Sequence, residues 1–301
     1  MTSSSPRVSV SSTSGTIAKS GAIDERAATV IDATGAARRT SPIAGSAITA
    51  SPSQFGARMT RRFMYGTVKL SMINTDPLLS VVMPVYNERT TIEAIVRRVL
   101  ALTLRLELIV VDDGSSDGSS EILDTLQREL KFTLLRQANA GKGSALRRGF
   151  AAVTGDIVVI QDADLEYSPE EYPQLLDLIV KDKADVVYGS RFLGRHRAFM
   201  FSHYLGNRLL TLATNILYNT MLTDMETCYK VMKVAVLRSM TLRSNGFGIE
   251  PELTAKIFKR GYRVYEVPIT YEGRGYEQGK KITWAAGFVA LWVLLKYRFV
   301  E

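Results

Sequence analysis

The chain has 301 residues, of which 46% are hydrophobic and 23% are charged, a composition typical of one substantial globular domain with additional segments. A single cysteine, Cys228, excludes an internal disulfide framework and is typical of a reducing compartment, and two histidines leave too few ligands for a zinc site built on Cys and His. The formal net charge of +8 comes mostly from residues 1–77. The remaining chain is nearly balanced, with 29 Lys and Arg against 26 Asp and Glu, and has no basic stripe. This distribution argues against a nucleic-acid partner.

The N-terminal segment differs from the rest of the chain in composition. Residues 1–57 are rich in Ser, Thr, Ala and Gly, and Phe55 is their only aromatic residue. Such a segment cannot bury enough apolar surface to offset chain entropy, so we expect residues 1–77 to form a disordered extension. It has no apolar stretch of the secretory-signal kind, and its acidic residues argue against a transit peptide. The alternative is that translation starts downstream, at Met64 or Met72.

From Leu78 onward, short apolar runs alternate with stretches of helical spacing. The runs LSVVMPVY, LELIVV, FTLLR, GDIVVIQ and ADVVYGS predict strands, and a helix is predicted after each of the first four. Residues 168–171, SPEE, have the pattern of a helix start, with Ser as the cap and Pro at the first helical position. Alternating strands and helices indicate a parallel sheet covered on both faces, in which ligands bind at the carboxyl ends of the strands.

Beyond Arg191 this alternation ends. Helices are predicted at about 204–222 and 250–259, and YRVYEVPITY predicts a further strand. Residues 282–301 hold an apolar run whose core is shorter than the roughly 20 residues that span a bilayer. We expect this segment to form an apolar or amphipathic C-terminal helix, either at a membrane interface or packed on the domain.

Three acidic turns follow predicted strands: PVYNE, DDGSSDGS and DADLE. Asp162 and Asp164 in the last of these fall on one side of an extended chain and would repel each other without a compensating cation. Mg²⁺ commonly takes one or two carboxylates together with substrate phosphate oxygens. Each turn alone is ordinary turn chemistry, but the three together favour a site for a divalent metal and a nucleotide.

The run GKGSA at 141–145 is not a Walker A loop, because Lys142 is followed by Gly143 rather than by Ser or Thr. No G-x-G-x-x-G follows a predicted strand either. We expect a close-packed turn near the nucleotide here, and we expect Cys228 to be a small core residue.

Taken together, VVMPVYNE, VVDDGSSDGS, NAGKGSALRRGF, QDADLEYSPEEYP and GSRF resemble family 2 glycosyltransferases with the GT-A fold. The later TDMETCYK, EVPITY and GRGYEQGKKI make the chain most similar to the dolichol-phosphate mannosyltransferase-like branch. The resemblance covers about Leu78 to Trp284. It implies an α/β fold of the GT-A nucleotide-diphospho-sugar transferase type, with a mostly parallel central sheet flanked by helices, over a glycosyltransferase domain at 78–281.

The resemblance also implies the roles of individual residues. Three residues of the first turn would line the nucleotide pocket: Pro84, Tyr86 and Glu88. Two residues at the second turn, Val111 and Asp113, would lie at the base and ribose. The ribose, the diphosphate and a Mg²⁺ or Mn²⁺ ion would meet Asp162, Ala163 and Asp164, with Asp164 as the principal metal ligand and Glu166 as a further metal contact. The donor diphosphate and the acceptor phosphate would be bound by Arg191, Arg274 and Lys280, with Lys281 as the alternative at the last position.

The implied reaction is an inverting, metal-dependent transfer of a mannose- or glucose-type hexose from a GDP- or UDP-sugar to a polyprenyl (dolichyl or undecaprenyl) phosphate. Such an acceptor is already ionised at neutral pH, so in-line attack needs no general base. The metal and the cationic side chains would stabilise charge developing on the leaving diphosphate. The residues assigned to catalysis are Asp162, Asp164, Arg191, Arg274 and Lys280.

Two alternatives stay open. Transfer to a sugar hydroxyl in polysaccharide or glycolipid assembly would need a base, for which Glu226, Glu250 and Glu252 are the candidates. A protein that kept the fold but only binds nucleotide-sugars is the other alternative. With a lipid acceptor, we expect the protein to be cytoplasmic and peripheral at the cytoplasmic face of a membrane, docked through residues 282–299 or through a membrane partner protein.

Overall fold

The computed structural model describes residues 76–196, 201–273 and 284–301. The expectation of disorder at 1–77 therefore falls almost entirely outside the described residues. The same is true of the predicted phosphate-binding residues Arg274, Lys280 and Lys281.

In the described part, seven strands form one sheet. They are β1 (Leu79–Val85), β2 (Leu106–Asp112), β3 (Thr133–Arg136), β4 (Ile157–Ile160), β5 (Val186–Ser190), β6 (Lys230–Lys233) and β7 (Val264–Pro268). Their order in the sheet is β3-β2-β1-β4-β6-β5-β7. All six strands predicted from apolar runs are present, and β4 and β5 are buried along their whole length. Continuous burial is expected for central strands covered by helices on both faces.

Strand β6 was not predicted. It pairs antiparallel with both β4 and β5, whereas the pairs β1–β2, β1–β4, β2–β3 and β5–β7 are parallel. Its sequence, KVMK, lacks the apolar run from which the other strands were predicted. Lys230 and Lys233 are nevertheless buried, because each forms an ion pair with a carboxylate. The mostly parallel sheet is confirmed, with β6 as the antiparallel strand among the described ones.

The described helices are α1 (Ile92–Leu100), α2 (Ser119–Glu129), α3 (Lys142–Ala151), α4 (Tyr172–Val180), α5 (Phe201–Tyr218), α6 (Val234–Arg238), α7 (Ile249–Lys259) and α8 (Trp284–Phe299). Helix α5 ends four residues before the predicted end. Asn219 adopts a left-handed conformation, with φ of 50°, which stops a helix without interrupting the apolar pattern.

The helix start predicted at Ser168 is confirmed in position, with Pro169 as the first helical residue, but the predicted side-chain cap is not formed. Residues Pro169–Glu171 form a 3₁₀ turn before α4, and Ser168 makes no side-chain capping hydrogen bond. Its hydroxyl instead accepts a hydrogen bond from Arg98 Nη2 at 3.3 Å. An ion pair between Arg98 and Glu170, at 2.6 Å, holds α1 against this turn, so a tertiary contact has replaced the local cap.

The register of the sheet places the three acidic turns at one edge. In the parallel pairs, Val85 lies opposite Asp112 and Val82 lies opposite Ile160. The chain therefore leaves β1, β2 and β4 at the same edge, at the carboxyl ends of the strands, where open α/β sheets bind ligands.

Candidate functional site

The turns after β1 and β2 form one hydrogen-bonded unit. Asn87, at φ of 54°, donates its backbone N–H to Ser115 Oγ at 3.1 Å, and its side-chain oxygen accepts from the Ser116 N–H at 2.8 Å. The Glu88 N–H donates to Ser119 Oγ at 2.9 Å. These hydrogen bonds hold the turn after β1 against the turn after β2, where the nucleotide pocket is predicted.

Of the residues predicted to line that pocket, Tyr86 is the most accessible, with 39% of its surface exposed. Pro84 and Glu88 are half-buried, and Glu88 accepts a hydrogen bond from the Thr91 hydroxyl at 3.2 Å. The Val111 side chain is fully buried in the core, so a contact with a base at this position would have to use the backbone. Nucleotide binding by these residues stays a prediction.

Asp113 has a structural task that the sequence did not reveal. Its carboxylate, 3% exposed, accepts hydrogen bonds from the Ala140 N–H at 2.9 Å, the Gly141 N–H at 2.8 Å and Gln137 Nε2 at 2.7 Å. Gly141 has φ of 95°, a conformation that favours glycine. Asp113 therefore anchors the turn that leads into α3, and its predicted contact with the nucleotide would come in addition to this role.

The turn at GKGSA is close-packed, as predicted. A Cβ on Gly143 would lie 2.4 Å from the carbonyl oxygen of Ser244 and 2.9 Å from that of Gly246. The Ser144 N–H donates to the Asn245 carbonyl at 2.9 Å. The start of α3 is thus pressed against the loop that precedes α7, and this contact brings Lys142 towards the first residues of α7.

The turn DADLE follows β4 and holds both predicted metal ligands. Asp164 Oδ1 accepts a hydrogen bond from the Glu166 N–H at 3.1 Å, and Leu165 between them takes a left-handed conformation with φ of 62°. Asp162 is half-buried, whereas Ala163 is 3% exposed and packs inward. The left-handed conformation of Leu165 and the hydrogen bond to Asp164 therefore define a tight turn at the two aspartates.

The donor atoms of this turn suit a hard cation. Carboxylate oxygens are the ligands that Mg²⁺ and Mn²⁺ prefer, and Mg²⁺ completes its shell with phosphate and water oxygens. Within the residues described, no three His, Cys, Asp or Glu side chains are arranged to hold a metal on their own. The chemistry of Asp162 and Asp164 therefore suits a metal that takes most of its ligands from a bound diphosphate, and metal binding by Asp162, Asp164 and Glu166 stays a prediction.

The compensation that Asp162 requires is supplied by Lys142. Its Nζ lies 2.8 Å from Oδ1 and 3.0 Å from Oδ2 of Asp162, and 3.3 Å from Oε1 of Glu250 at the start of α7. The other oxygen of Glu250 pairs with Lys230 Nζ at 2.7 Å. Burial alone would lower the pKa of Lys142, but Asp162 and Glu250 raise it well above its ordinary value, so the ammonium group stays charged.

Sequence reasoning missed this role of Lys142. The available signal was a lysine in a turn that must pack closely against its surroundings, since a cation in such a place needs a carboxylate partner. The residue that pairs with it most closely, Asp162, is 20 positions away along the chain.

The three candidate bases differ sharply in their surroundings. Glu252 is fully buried and accepts hydrogen bonds from the Arg243 N–H at 2.9 Å, the Ser244 N–H at 2.7 Å and Lys256 Nζ at 2.8 Å, so it holds the loop before α7 in place. Glu250 is committed to the two lysines described above. Burial raises the pKa of Glu226 to about 7, and its buried Oε1 has no hydrogen-bond partner within the described chain.

Arg191 forms a buried bidentate ion pair. Its Nε and Nη2 donate to the two carboxylate oxygens of Asp224, each at 2.7 Å, and its guanidinium lies 5.2 Å from the ring centre of Tyr271. The Tyr271 hydroxyl donates to Glu166 Oε2 at 2.5 Å. Arg191 therefore lies one side chain behind the DADLE turn and is 8% exposed, and its contact with phosphate stays a prediction.

The chain approaches the same turn again just before the predicted cationic segment. The Glu272 N–H donates to the carbonyl oxygen of Glu166 at 3.1 Å. Arg274 follows Glu272 by two positions and, with Lys280 and Lys281, lies outside the described residues.

Comparison with known proteins identifies the family. Residues 80–240 match the family described as Glycosyl transferase family 2. The polyprenol monophosphomannose synthase of Mycolicibacterium smegmatis is 31% identical over 210 residues, which cover 64% of this chain and 77% of that protein. The dolichol-phosphate mannosyltransferase of Pyrococcus furiosus is 30% identical over 209 residues, which cover 67% of this chain but only 58% of that protein.

A solved structure shares the fold. Glucosyl-3-phosphoglycerate synthase from Mycobacterium tuberculosis, in complex with Mn²⁺, UDP-glucose and phosphoglyceric acid, superposes with a TM-score of 0.59 at 23% identity, over 75% of this chain and 81% of that one. This likeness confirms the predicted GT-A fold. With the family match over more than half of its length, the chain belongs to glycosyl transferase family 2, in the dolichol-phosphate mannosyltransferase-like branch, and is a glycosyltransferase.

Proposed function

We propose that this enzyme transfers a mannose- or glucose-type hexose from a GDP- or UDP-sugar to a polyprenyl phosphate, with inversion at the anomeric carbon. The observation that carries the proposal is the meeting of three acidic turns at one sheet edge, in a chain 31% identical to a polyprenol monophosphomannose synthase. The same turns in a less similar chain would support only nucleotide-sugar binding.

The donor would lie across this edge. The exposed ring of Tyr86 offers a face on which a base can stack, and Asp113 fixes the neighbouring turn. Asp162 and Asp164, with Glu166, would hold Mg²⁺ or Mn²⁺, in keeping with the Mn²⁺ present in the mycobacterial synthase complex. When bound, the metal supplies positive charge to the departing diphosphate.

The acceptor phosphate and the donor diphosphate are both anions, so the protein must hold them together against their repulsion. Arg191 and Arg274, with Lys280 or Lys281, are the cations we assign to this task. The hydrogen bond from Glu272 to the DADLE turn supports the assignment, because Arg274 follows two positions later.

Helices α5 and α8 together support docking on a membrane surface. They contact each other through a hydrogen bond from the Tyr218 hydroxyl to the Leu294 carbonyl at 2.7 Å, and α8 buries Val293 and Leu294 on its inner side. Large apolar side chains remain exposed on their outer sides: Phe201, Leu205, Leu209, Leu212, Ile216, Phe288, Val289, Trp292 and Phe299. Among the described helices, none has the length and apolar character to cross a bilayer.

We infer that this α5–α8 face lies on the cytoplasmic surface of a membrane, where the lipid acceptor resides. An exposed Trp292 followed by the cations Lys296 and Arg298 in the last turn of α8 is a side-chain combination found in interfacial helices. In this proposal one side of α8 packs on the domain, through Val293 and Leu294, and the other side would face lipid.

The transfer itself is tested with purified full-length protein, Mn²⁺, labelled GDP-mannose or UDP-glucose, and polyprenyl phosphate in detergent. We expect label in the lipid fraction with the phosphate acceptor and none with the matched polyprenol, which lacks the ionised oxygen. Failure of every donor to label polyprenyl phosphate would overturn the proposal.

The membrane surface is tested by liposome co-sedimentation. The double variant F288S/W292S should reduce binding to anionic liposomes several-fold, because it removes two exposed apolar anchors. Tyr265→Ser, which removes an exposed aromatic ring from β7, is the matched control and should bind as the wild type does. Equal binding by the wild type and the double variant would remove the α5–α8 face from the account.

Transfer to a sugar hydroxyl is the second candidate, and Glu226 is the observation that favours it. A carboxyl group with a pKa of about 7 and an unpartnered oxygen is suited to act as a general base. Glu226→Gln should then abolish transfer to a hydroxyl acceptor. In the polyprenyl-phosphate reaction, which needs no base, the same variant should keep most of its turnover.

A further inference from the structure

Lys142 lies between two carboxylates that it contacts unequally. Its ammonium group donates a hydrogen bond to Oδ2 of Asp162 at 3.0 Å and lies 2.8 Å from Oδ1, but it is 3.3 Å from Oε1 of Glu250. That oxygen is buried and has no hydrogen-bond partner among the described residues. A second position for the ammonium group therefore already exists beside the one it occupies.

The surroundings allow the side chain to move while the backbone stays fixed. The turn before Lys142 is held by two N–H groups bound to Asp113, and Gly143 is packed against backbone atoms of the loop before α7. Glu250 is held from its other side by Lys230, which is fully buried. Only the flexible stem of Lys142 is free to carry its charge from one carboxylate to the other.

We propose that Lys142 is a displaceable counter-ion of the metal site. It neutralises Asp162 before the donor arrives, and it moves onto Glu250 Oε1 when a divalent cation takes its place at Asp162. This inference rests on the proposed function, because it assumes that Asp162 faces the metal and the donor diphosphate. Lys142 is then a positioning residue, and it acts on the donor through Asp162.

The charges explain why both carboxylates are needed. Asp162 without a cation would leave two neighbouring carboxylates uncompensated at the edge of the sheet. Lys142 without Glu250 would be driven by the arriving divalent cation into a largely buried position with no anion to pair with. The pair Lys142 and Glu250 lets Asp162 exchange one cation for another without either state holding an unpaired buried charge.

The inference is tested by Mn²⁺ binding to the full-length protein without nucleotide, measured from the free-Mn²⁺ signal in electron paramagnetic resonance. Lys142→Met removes the competing cation and keeps the apolar stem, so we expect Mn²⁺ to bind about tenfold more tightly. Glu250→Gln removes the second position, so Lys142 stays on Asp162 and Mn²⁺ should bind about tenfold more weakly. Lys142→Arg keeps the charge and should bind Mn²⁺ nearly as the wild type does.

Lys233→Met is the matched control, because Lys233 also lies between two carboxylates, Asp182 and Asp185, but away from the acidic turns. It should leave Mn²⁺ affinity unchanged. Opposite shifts in the Lys142→Met and Glu250→Gln variants support the inference when Glu250→Gln no longer weakens Mn²⁺ binding in the Lys142→Met background, because Glu250 then acts only through Lys142. A direct electrostatic effect of Glu250 on the metal would persist in the double variant and would contradict the exchange. Shifts of the same sign, unchanged affinities, or no Mn²⁺ binding by Lys142→Met would overturn it.

The two proposals can fail separately. Opposite Mn²⁺ shifts without any lipid-linked product would uphold the counter-ion and contradict the assigned reaction. Product formation with unshifted Mn²⁺ affinities would uphold the reaction and contradict the counter-ion. If Lys142→Met does not fold, Lys142→Gln, which also removes the competing charge, takes its place in the comparison with Glu250→Gln.

Discussion

Each end of the central sheet holds a lysine between two carboxylates, and the two clusters differ in how completely their oxygens are paired. At the amino end of β5, Lys233 Nζ lies 2.6 Å from Asp182 and 3.0 Å from Asp185. Arg263 donates three further hydrogen bonds to Asp185, at 2.9 and 3.0 Å from its guanidinium and at 3.1 Å from its backbone N–H. At the carboxyl end of β4, Lys142 bonds to Asp162 and leaves Glu250 Oε1 without a hydrogen bond in the described chain.

The pKa values of the buried carboxyl groups also differ between the fully paired end and the incompletely paired end. Burial would raise the pKa of Asp185, but hydrogen bonds from Arg263 and Lys233 outweigh it and bring the pKa to about 2. At the other end, burial raises the pKa of Glu226 to about 7. A fully paired cluster stabilises the fold, whereas incompletely paired buried carboxylates are costly and mark a place that a ligand can complete.

The largest expected effect comes from removing one carboxylate charge at each end. Asp164→Asn should lower the turnover of hexose transfer by about 10²–10³-fold, because it removes the principal ligand of the metal that stabilises the leaving group. Asp182→Asn makes the same change in the paired cluster and should leave turnover unchanged. Equal turnover in the two variants, measured in the lipid-product assay, would contradict the catalytic role assigned to the acidic turns at the carboxyl end.

The pH dependence of stability should have opposite signs at the two ends. The pKa of Asp185 is about 2 in the folded protein against an ordinary 3.8, so its contribution is present above pH 3.8 and is lost as pH falls through 2, about 2 kcal/mol in total. The pKa of Glu226 is about 7 against 4.5, so its contribution is fully present below pH 4.5 and is lost as pH rises through 7, at most about 3 kcal/mol.

Urea unfolding measured from pH 2 to 9 separates the two contributions. Asp185→Asn should flatten the acid limb of the profile, and Glu226→Gln should flatten the limb between pH 4.5 and 7. A Glu226→Gln profile that keeps the wild-type slope in that range would show that Glu226 titrates normally. The general-base candidate would then lose its support.

The smallest expected effects concern two tightly packed glycines. Gly143→Ala at the carboxyl end and Gly155→Ala at the amino end would each place a Cβ 2.4 Å from a backbone carbonyl oxygen, of Ser244 and Leu78 respectively. Each should cost about 1–3 kcal/mol of unfolding free energy. Only Gly143→Ala should also raise the KM for the donor, because it displaces Lys142. Equal donor KM values in the two variants would contradict that coupling.

The part of the fold that could be predicted rests on local signals. The apolar runs of β1, β2 and β4 and the acidic turns after them are contiguous in sequence, and parallel pairing alone brings their ends together. Strand β6 could not be predicted, because its lysines are buried by carboxylates that the sequence places 20 and 48 positions away.

In the candidate site, too, the local sequence signals could be predicted and the tertiary contacts could not. DADLE predicts a pair of carboxylates, but the ion pair of Lys142 with Asp162 depends on how α3 meets the loop before α7, a tertiary contact without a sequence pattern. Asp113 was likewise predicted only as a ligand contact, and the structure shows that it also anchors the turn before α3. Pairing between distant charged residues is the part of the site that only the three-dimensional structure reveals.

The most direct test of the account is a crystal structure with donor and Mn²⁺ bound, in which the anomalous signal of manganese locates the metal. We expect a manganese peak in direct contact with the Asp164 carboxylate and the donor diphosphate. A manganese-free turn in which both aspartates point away into ion pairs, with donor bound elsewhere, would contradict it.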